Sequence, residues 1–207
     1  MKLRAVFIVL LLLTAPAHAA IPYGSACGVF RWSVKTLADP AAAHLPQSAT
    51  TTTIAALAQL HPPGDPQYFT TRRAPVETTL YHLRARLQGY VLEQDGDVHL
   101  LLRDPQTGAH MIGEIPAPYC APGARAATFA HARAAVKSIG RHAAMPRRIW
   151  WLDYRGATPP LVDVWGYGYW DDEHGQRGAA KNGVELHPVL RLSSLDFANA
   201  SHSLRSR

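Results

Sequence analysis

The stretch that decides the fold is LEQDGDVHLLLRDPQTGAHMIGEIPAP, residues 92–118. Asp95-Gly96 is a strong hairpin signal, and the run from Asp104 to Gly108 supplies a second turn. Residues 98–102 and 110–116 read as the strands that follow these turns. The stretch therefore predicts two strands of an antiparallel meander.

The residues before this stretch supply the first strand of the meander. Residues 77–93, ETTLYHLRARLQGYVLE, alternate polar and apolar side chains with the period of two that is typical of a strand. Leu83 and Leu87 fall on the apolar face. Gly89 interrupts the pattern and predicts a bulge or sharp bend, as long barrel strands often require.

One helix and further strands are predicted after the meander. Four apolar residues recur at helical spacing within residues 124–140, namely Phe129, Ala132, Val136 and Ile139. Residues 147–154, 161–172 and 183–192 then read as strands. A three-strand meander, one helix and two or more strands is the order of an OB-type barrel. We therefore expect a mainly β protein with an OB-type five-stranded barrel and one helix between strands 3 and 4.

The N-terminal residues predict export. Lys2 and Arg4 precede an apolar run that ends at Leu13, and Ala17-His18-Ala19 is a small-x-small cleavage signal. Residues 1–19 are therefore interpreted as a signal peptide. That run is shorter than the roughly 20 apolar residues of a membrane helix, and no other segment approaches this length. We expect a protein exported to the periplasm or secreted.

The rest of the chain is long enough for one domain with a substantial core. Residues 20–75 predict an N-terminal extension with a short helix, IAALAQL, that Thr53 could cap. Residues 76–192 hold the predicted barrel, and residues 193–207 form a polar tail that we expect to be flexible. We expect a monomer.

The cysteine count, the net charge and the absence of known catalytic motifs limit which classes of function are plausible. Cys27 and Cys120 are the two cysteines, and in an exported protein we expect them to form a disulfide. The formal net charge of +6 falls to +4 without Lys2 and Arg4, which permits attraction to polyanions without demonstrating it. No nucleophile elbow, P-loop or dinucleotide fingerprint is present, which disfavours acyl-transfer and nucleotide-dependent enzymes.

Strand alternation predicts a shared polar surface. If Val98, Leu100 and Leu102 face the interior, His99 faces out, and the same alternation puts Glu185 and His187 on the outer face. Glu114 also prefers the outside, because an isolated buried carboxylate is costly. Strands 3 and 5 are neighbours in an OB barrel, so these side chains are expected to converge.

Two interpretations of that surface stay open: a ligand or metal site, or cross-strand hydrogen bonds and ion pairs on a solvated sheet. His174 and Gln176 lie in a Gly-rich loop at a barrel mouth, where OB folds often recognise ligands. The candidate ligand-binding residues are His99, Glu114, His174, Gln176, Asn182, Glu185 and His187. The candidate metal ligands, for zinc or calcium, are Asp97, His99, Glu114 and His187.

Three aromatic residues alternate along one predicted strand: Trp165, Tyr167 and Tyr169. Such a stripe could stack bases or sugar rings. More often it is a packed layer, here beneath the helix or the extension, and we favour that interpretation.

The D-G-D turn at residues 95–97 and the strand after it resemble the opening meander of the staphylococcal-nuclease-like OB fold. In that family the last Asp of the turn is a calcium ligand, so the resemblance implies Asp97. The family's third-strand Arg and its D-x-P-E motif have no counterpart, and GEIPAP stands at residues 113–118 instead.

Four other motifs resemble a largely uncharacterised group of exported bacterial proteins. They are RW-x-VKT at residues 31–36, DxDxHL at 95–100, EIP-x-P-x-C at 114–120 and HGQxGxxxNGxELHPVL at 174–190. The resemblance implies membership of that group and brings no established activity with it.

The function favoured by these observations is an exported OB-fold binding module for an extracellular or periplasmic ligand, an oligonucleotide or oligosaccharide. The alternative is a metal-dependent phosphodiesterase or nuclease, with the metal candidates as ligands or general bases. A structural or inhibitory protein is a third interpretation. The fold leaves open whether the protein is an enzyme.

Overall fold

The computed structural model describes residues 26–140, 158–172 and 175–195. Four predictions fall wholly or largely outside the described residues: the signal peptide at 1–19, the strand at 147–154, His174 and most of the tail at 193–207. Within the described ranges, no helix is long and apolar enough to cross a membrane.

The regular elements comprise three α-helices and six strands in the described residues. In chain order they are α1 (Trp32–Lys35), β1 (Thr50–Thr52), α2 (Ile54–Leu57), β2 (Leu80–Leu92), β3 (Val98–Arg103), β4 (His110–Ile115), α3 (Ala124–Gly140), β5 (Leu161–Trp170) and β6 (Val184–Ser194). Short 3₁₀ helices span Pro40–His44, Pro66–Tyr68, Val76–Thr78 and Pro118–Cys120.

Strands β2 to β6 close into a five-stranded barrel. The order around the sheet is β2-β3-β4-β6-β5, and β5 pairs again with β2. Neighbouring strands are antiparallel except β4 and β6, which run parallel. Helix α3 joins the third and fourth barrel strands. This connectivity confirms the OB-type prediction.

The long strand β2 closes the barrel by serving two neighbours. Its first half, from Leu80 to Arg86, pairs with β5, and its second half, to Leu92, pairs with β3. The register shifts between Leu87 and Gly89, where the sequence predicts a bulge. The strand can therefore turn from one neighbour to the other.

The core lies inside the barrel and beneath α3. Leu83 and Leu87 of β2 point inward, and Leu100 of β3 meets them there. The helical face predicted from the sequence is buried in the same cluster, through Phe129, Ala132, Val136 and Ile139. The outward side chains of the strands are therefore left for the N-terminal extension to cover.

The extension contains more regular structure than its composition indicates. Thr53 caps α2 as predicted, because its side chain accepts a hydrogen bond from Ala56 N. Strand β1, which the sequence did not predict, pairs in parallel with β2 through Thr50 and Tyr81. Three consecutive β-branched threonines suit this added strand. At the other end of the chain, β6 continues to Ser194, two residues into the predicted tail.

A buried ion pair fastens α1 to the barrel. Arg31 Nη1 and Nη2 lie 2.8 Å and 2.6 Å from the two carboxylate oxygens of Glu77. The Glu77 carboxylate also accepts hydrogen bonds from the backbone N–H groups of Trp170 and Arg73. Glu77 is wholly enclosed, at 0% exposed, so every one of these contacts forms away from water.

A disulfide joins Cys27 to Cys120, as the sequence predicts. The two Cα atoms are 5.8 Å apart and the cysteines are separated by 93 positions. The bond ties the start of the extension to the 3₁₀ helix that follows β4. Disulfide and ion pair therefore hold the same short segment from both ends.

Replacing both cysteines by serine is expected to lower the free energy of unfolding by up to about 4 to 5 kcal/mol, because the open chain regains the entropy of a long loop. Urea unfolding of the double variant and of reduced wild type measures this loss. Equal midpoints for the oxidised and reduced protein would contradict it.

Glu77→Gln is expected to cost about 3 to 5 kcal/mol, because it leaves the Arg31 guanidinium buried without its counter-charge. Urea unfolding measures the loss, with Asp65→Asn as an exposed acid-to-amide control. A change within about 0.5 kcal/mol, the usual range for a surface substitution, would show that the pair does not stabilise the fold.

Candidate functional site

Strands β3, β4 and β6 bring four of the predicted site residues together. His99 pairs directly with Glu114 across β3 and β4, while Gly113 lies opposite Leu186 where β4 and β6 run parallel. Leu186 belongs to the core, so Glu185 and His187 on either side of it point outward. The convergence expected from strand alternation is therefore present on the outer face of the barrel.

This outer face is covered and not solvated, although the cross-strand ion pairs of the second interpretation are present, as between His99 and Glu114. His99 is 6% exposed, Glu114 3% and His187 0%. Helix α1 lies over one part of the face, and the loop that starts at residue 175 lies over another, where the backbone carbonyl of Arg177 contacts His99. The polar side chains interact in a low-dielectric environment, in which each interaction is stronger than on an open sheet.

Glu114 is at the centre of the cluster and contacts both histidines. Its Oε1 is 3.3 Å from His99 Nδ1, and its Oε2 is 3.0 Å from His187 Nδ1. Burial raises the pKa of Glu114, but His187 and then His99 outweigh burial and hold the pKa well below its usual range. Glu114 is therefore ionised, and the two imidazoles compensate its charge.

One ring nitrogen of His99 is hydrogen-bonded to a backbone carbonyl, and the other faces two carboxylates. Its Nε2–H donates to the Arg177 carbonyl at 3.2 Å. Its Nδ1 lies 3.2 Å from Glu93 Oε1, yet it forms no hydrogen bond of good geometry there or with Glu114. Gly178 lets the loop approach this closely, since its φ of 89° suits glycine and a Cβ would collide with Leu101.

His187 lies deeper and is surrounded by acids. Its Nδ1 is hydrogen-bonded to Glu185 at 3.2 Å, and its Nε2 is 3.3 Å from Asp97 Oδ2. Asp97 Oδ1 accepts a hydrogen bond from Ala117 N, so the D-G-D carboxylate is engaged inside the protein. Burial and Lys35 lower the pKa of His187, but Glu114 and Asp97 raise it well above its ordinary value overall.

The remaining titratable groups show the same competition between burial and charge. Burial lowers the pKa of His99, but Glu114 and Glu93 raise it to about 10 overall. Burial together with the nearby Glu114 raises the pKa of Glu185 to about 7. Burial likewise opposes the charge of Lys35, while Glu114 and Glu185 raise its pKa above the ordinary value.

A cleft of about 300 Å³ opens beside the cluster. Eight residues line it: Phe30, Lys35, Glu93, Asp95, Glu114, Asp171, Asp172 and Gln176. Five of these carry carboxylates and one carries an amine. The cleft is therefore strongly acidic in a chain whose formal net charge is +6.

Six of the eight cleft residues are absent from the candidate set: Phe30, Lys35, Glu93, Asp95, Asp171 and Asp172. Glu93 lies two residues before the D-G-D turn and Lys35 belongs to the RW-x-VKT motif, so a sequence motif lies next to or includes each of them. Lys35 Nζ lies 5.2 Å from the Tyr169 ring, which fixes its direction toward the cluster. Asp171 follows β5 directly and had no signal beyond its charge.

The other predicted site residues fall in different places. Gln176 lines the cleft, and His174 lies outside the described residues. The Asn182 amide donates to the carbonyls of Leu57 and Leu60, so it anchors the end of α2. Within the aromatic stripe, Tyr167 and Tyr169 are packed beneath the extension, which is the interpretation favoured from the sequence.

Among the residues that the structure describes, two groups of three side chains could hold a metal ion. One comprises Glu93, His99 and Glu114, and the other comprises Asp97, Glu114 and His187. Within each group the ligand atoms lie within 4.8 Å of one another. The buried acidic and histidine side chains thus bear out the general expectation of a metal-capable site, with Glu93 added to the predicted ligands.

Fold and site together define an OB-type barrel with a covered polar face and an acidic cleft. No protein-family model and no curated protein matches the sequence. Among solved structures, a Leishmania major Friedlin chain assigned as an aspartyl-tRNA synthetase is similar with a TM-score of 0.35 and 14% identity, over 72% of this chain and 21% of that one. This chain thus spans about a fifth of that structure's length, and a likeness at this level carries no functional argument.

The raised pKa of His99 predicts a pH-dependent stability. The native state keeps a proton that the unfolded state releases near pH 6.5, so this contribution is fully present below about pH 6.5 and is lost as pH rises through about 10. Urea unfolding in chelator between pH 6 and 10 should show a steeper fall for wild type than for His99→Gln. His61→Gln, at an exposed position after α2, is the control and should match wild type. Parallel curves for all three proteins would refute the assignment.

Proposed function

We propose that this protein is an exported OB-fold binding module that takes a small positively charged ligand in its acidic cleft. The observation that carries the proposal is the cleft lining, with five carboxylates and a single amine. A cleft with one sign of charge and low-dielectric walls focuses the electrostatic field and concentrates ligands of the opposite sign. A cation is the ligand that this arrangement favours.

The lining of the cleft disfavours an oligonucleotide or an oligosaccharide as the ligand. Phosphate groups of an oligonucleotide would meet Glu93, Asp95 and the two aspartates after β5. An oligosaccharide usually stacks on exposed aromatic rings, whereas Tyr167 is 2% exposed and Tyr169 is 0% exposed. The cleft lining holds one aromatic ring, that of Phe30, and one positive charge, that of Lys35, so it offers little that is complementary to either class.

The size of the cleft suits a small or narrow ligand. Its volume of about 300 Å³ is at the lower end for ligand sites. A second cavity of about 460 Å³, which Asp171 and Asp172 also line, adjoins it. A metal ion or an extended amine such as a polyamine fits this shape, and the second cavity offers room for the rest of a longer amine.

Action outside the cytoplasm is part of the proposal. The signal-like residues 1–19 support it, and the Cys27–Cys120 disulfide is of the kind that persists in oxidising compartments. The disulfide also holds the segment that carries Phe30 into the cleft wall. The oxidising environment that export provides would therefore also keep the cleft wall in place.

A metal-dependent phosphodiesterase or nuclease is the second candidate. The observation that favours it is the pair of metal-capable groups that share Glu114. A bound divalent ion would reverse the local charge and could polarise a phosphate or activate water. The Asp97 role implied by the nuclease resemblance fits poorly, because this carboxylate is 0% exposed.

Isothermal titration of the mature protein is expected to show binding of spermidine, and no binding of a short oligothymidylate or a neutral chito-oligosaccharide. Glu93→Gln and Asp95→Asn should each weaken spermidine binding by about tenfold, the worth of one charge-assisted hydrogen bond. Added salt should weaken it further, because part of the cleft is open to solvent.

Asp65→Asn removes one acid outside the cleft lining and serves as the matched control, with no change expected. Binding of the oligothymidylate in preference to spermidine would overturn the proposal. Hydrolysis of DNA in zinc or calcium that stops in chelator would favour the second candidate instead.

A further inference from the structure

We propose that the floor of the cleft is a zinc-type divalent metal site formed by Glu93, His99 and Glu114. The inference rests on the proposed cation-binding function and names the first ligand of the cleft. The three donor atoms are His99 Nδ1 and one carboxylate oxygen from each glutamate, and all lie within 4.8 Å of one another.

Two of the three donor separations match those around a tetrahedral ion, and the third is at most 4.8 Å. His99 Nδ1 is 3.2 Å from Glu93 Oε1 and 3.3 Å from Glu114 Oε1. Ligands about 2.0 to 2.1 Å from a tetrahedral zinc ion are about 3.3 Å from each other. A cation between these atoms therefore needs little movement of the side chains that would bind it.

The imidazole is prepared for this role. His99 is 6% exposed, and its Nδ1 faces the Glu93 and Glu114 carboxylates without a hydrogen bond of good geometry, so a divalent ion would replace the proton that pairs the ring with them. The opposite nitrogen, Nε2, donates its proton to the Arg177 carbonyl. A metal-binding histidine usually donates its second N–H to a carbonyl or carboxylate, which orients the ring and leaves the other nitrogen for the ion.

The second carboxylate oxygen of Glu114 is held from behind. His187 Nδ1 lies 3.0 Å from Glu114 Oε2, which orients the carboxylate so that Oε1 is presented toward His99. His187 is in turn held by Glu185 and Asp97. In this arrangement His187 and Asp97 are positioning residues and not ligands.

Access separates the proposed site from the deeper group of Asp97, Glu114 and His187. Glu93 and Glu114 line the cleft, and the Glu93 side chain is 29% exposed, so an ion can arrive and a fourth position faces solvent. Asp97 and His187 are both 0% exposed and neither lines the cleft. Three protein ligands with one open position is also the pattern of zinc sites that exchange or activate a ligand.

Lys35 fits the same interpretation. Its ammonium lines the cleft and interacts with Glu114 and Glu185, where it neutralises part of the acidic cluster. The buried carboxylates therefore have a counter-charge when no ion is bound. A divalent ion at the cleft floor would take over that role nearest Glu114.

The test uses mature protein stripped with chelator and titrated with Zn²⁺ by calorimetry and with Co²⁺ by visible absorption. We expect one ion per chain with a tetrahedral Co²⁺ spectrum. Glu93→Gln should weaken binding by at least about 10- to 100-fold, the range that even outer-shell changes produce. Glu93 also contacts His99, so the urea midpoint of this variant is measured in chelator and a folded baseline is required before its affinity is compared with wild type.

Two further variants separate the proposed site from the deeper group and from chance binding. Asp97→Asn should weaken binding less than Glu93→Gln, and His110→Gln on the exposed face of β4 should bind as wild type does. Wild-type affinity in Glu93→Gln, loss of the ion in His110→Gln, or no binding at all would overturn the metal site. Spermidine binding that survives in such a case would leave the proposed cation-binding function standing.

Discussion

The Arg31–Glu77 ion pair is the interaction on which the site depends. It holds α1 against the barrel through two short charged hydrogen bonds, at a carboxylate that also satisfies the backbone of β5. Without α1, part of the outer face of β3, β4 and β6 would be open to water, where screening leaves ion pairs with little energy. The Arg31–Glu77 ion pair therefore helps keep this part of the sheet buried. The disulfide at Cys27 holds the same segment at its other end.

Charged side chains can be buried on this covered face because acidic groups and imidazoles alternate there. Glu114 lies between two imidazoles, and His187 lies between three carboxylates, so each buried charge meets opposite charges at close range. Such a network tolerates burial only when its members are paired. Toward the cleft the balance shifts to the acids, because Glu93, Asp95 and the aspartates after β5 face a single amine. That acidic lining is the physical reason for proposing that the ligand of the cleft is a cation.

Much of the barrel could be predicted because its signals are local. The period of two in residues 77–93 identified the inward leucines, the Asp95-Gly96 turn set the first hairpin, and the spacing of Phe129 and Val136 identified the buried face of α3. The extension was harder to predict. Thr50–Thr52 had no alternation to reveal a strand, and its pairing with β2 depends on where the extension docks. The position of Lys35 near the cluster likewise depends on where the extension packs, which no periodic pattern in the sequence reveals.

The sequence by itself determined which side chains would leave the barrel on the same side, since strand geometry forces His99, Glu114 and His187 outward once their neighbours face the core. It also predicted the disulfide, because two cysteines allow one intramolecular pairing. Only the tertiary structure decided that this outward face is buried, acidic at its open end and bordered by Lys35. Burial of a strand face depends on which distant segments pack over it, here the segment that Arg31 joins to Glu77, 46 positions away, and the loop whose Arg177 carbonyl contacts His99.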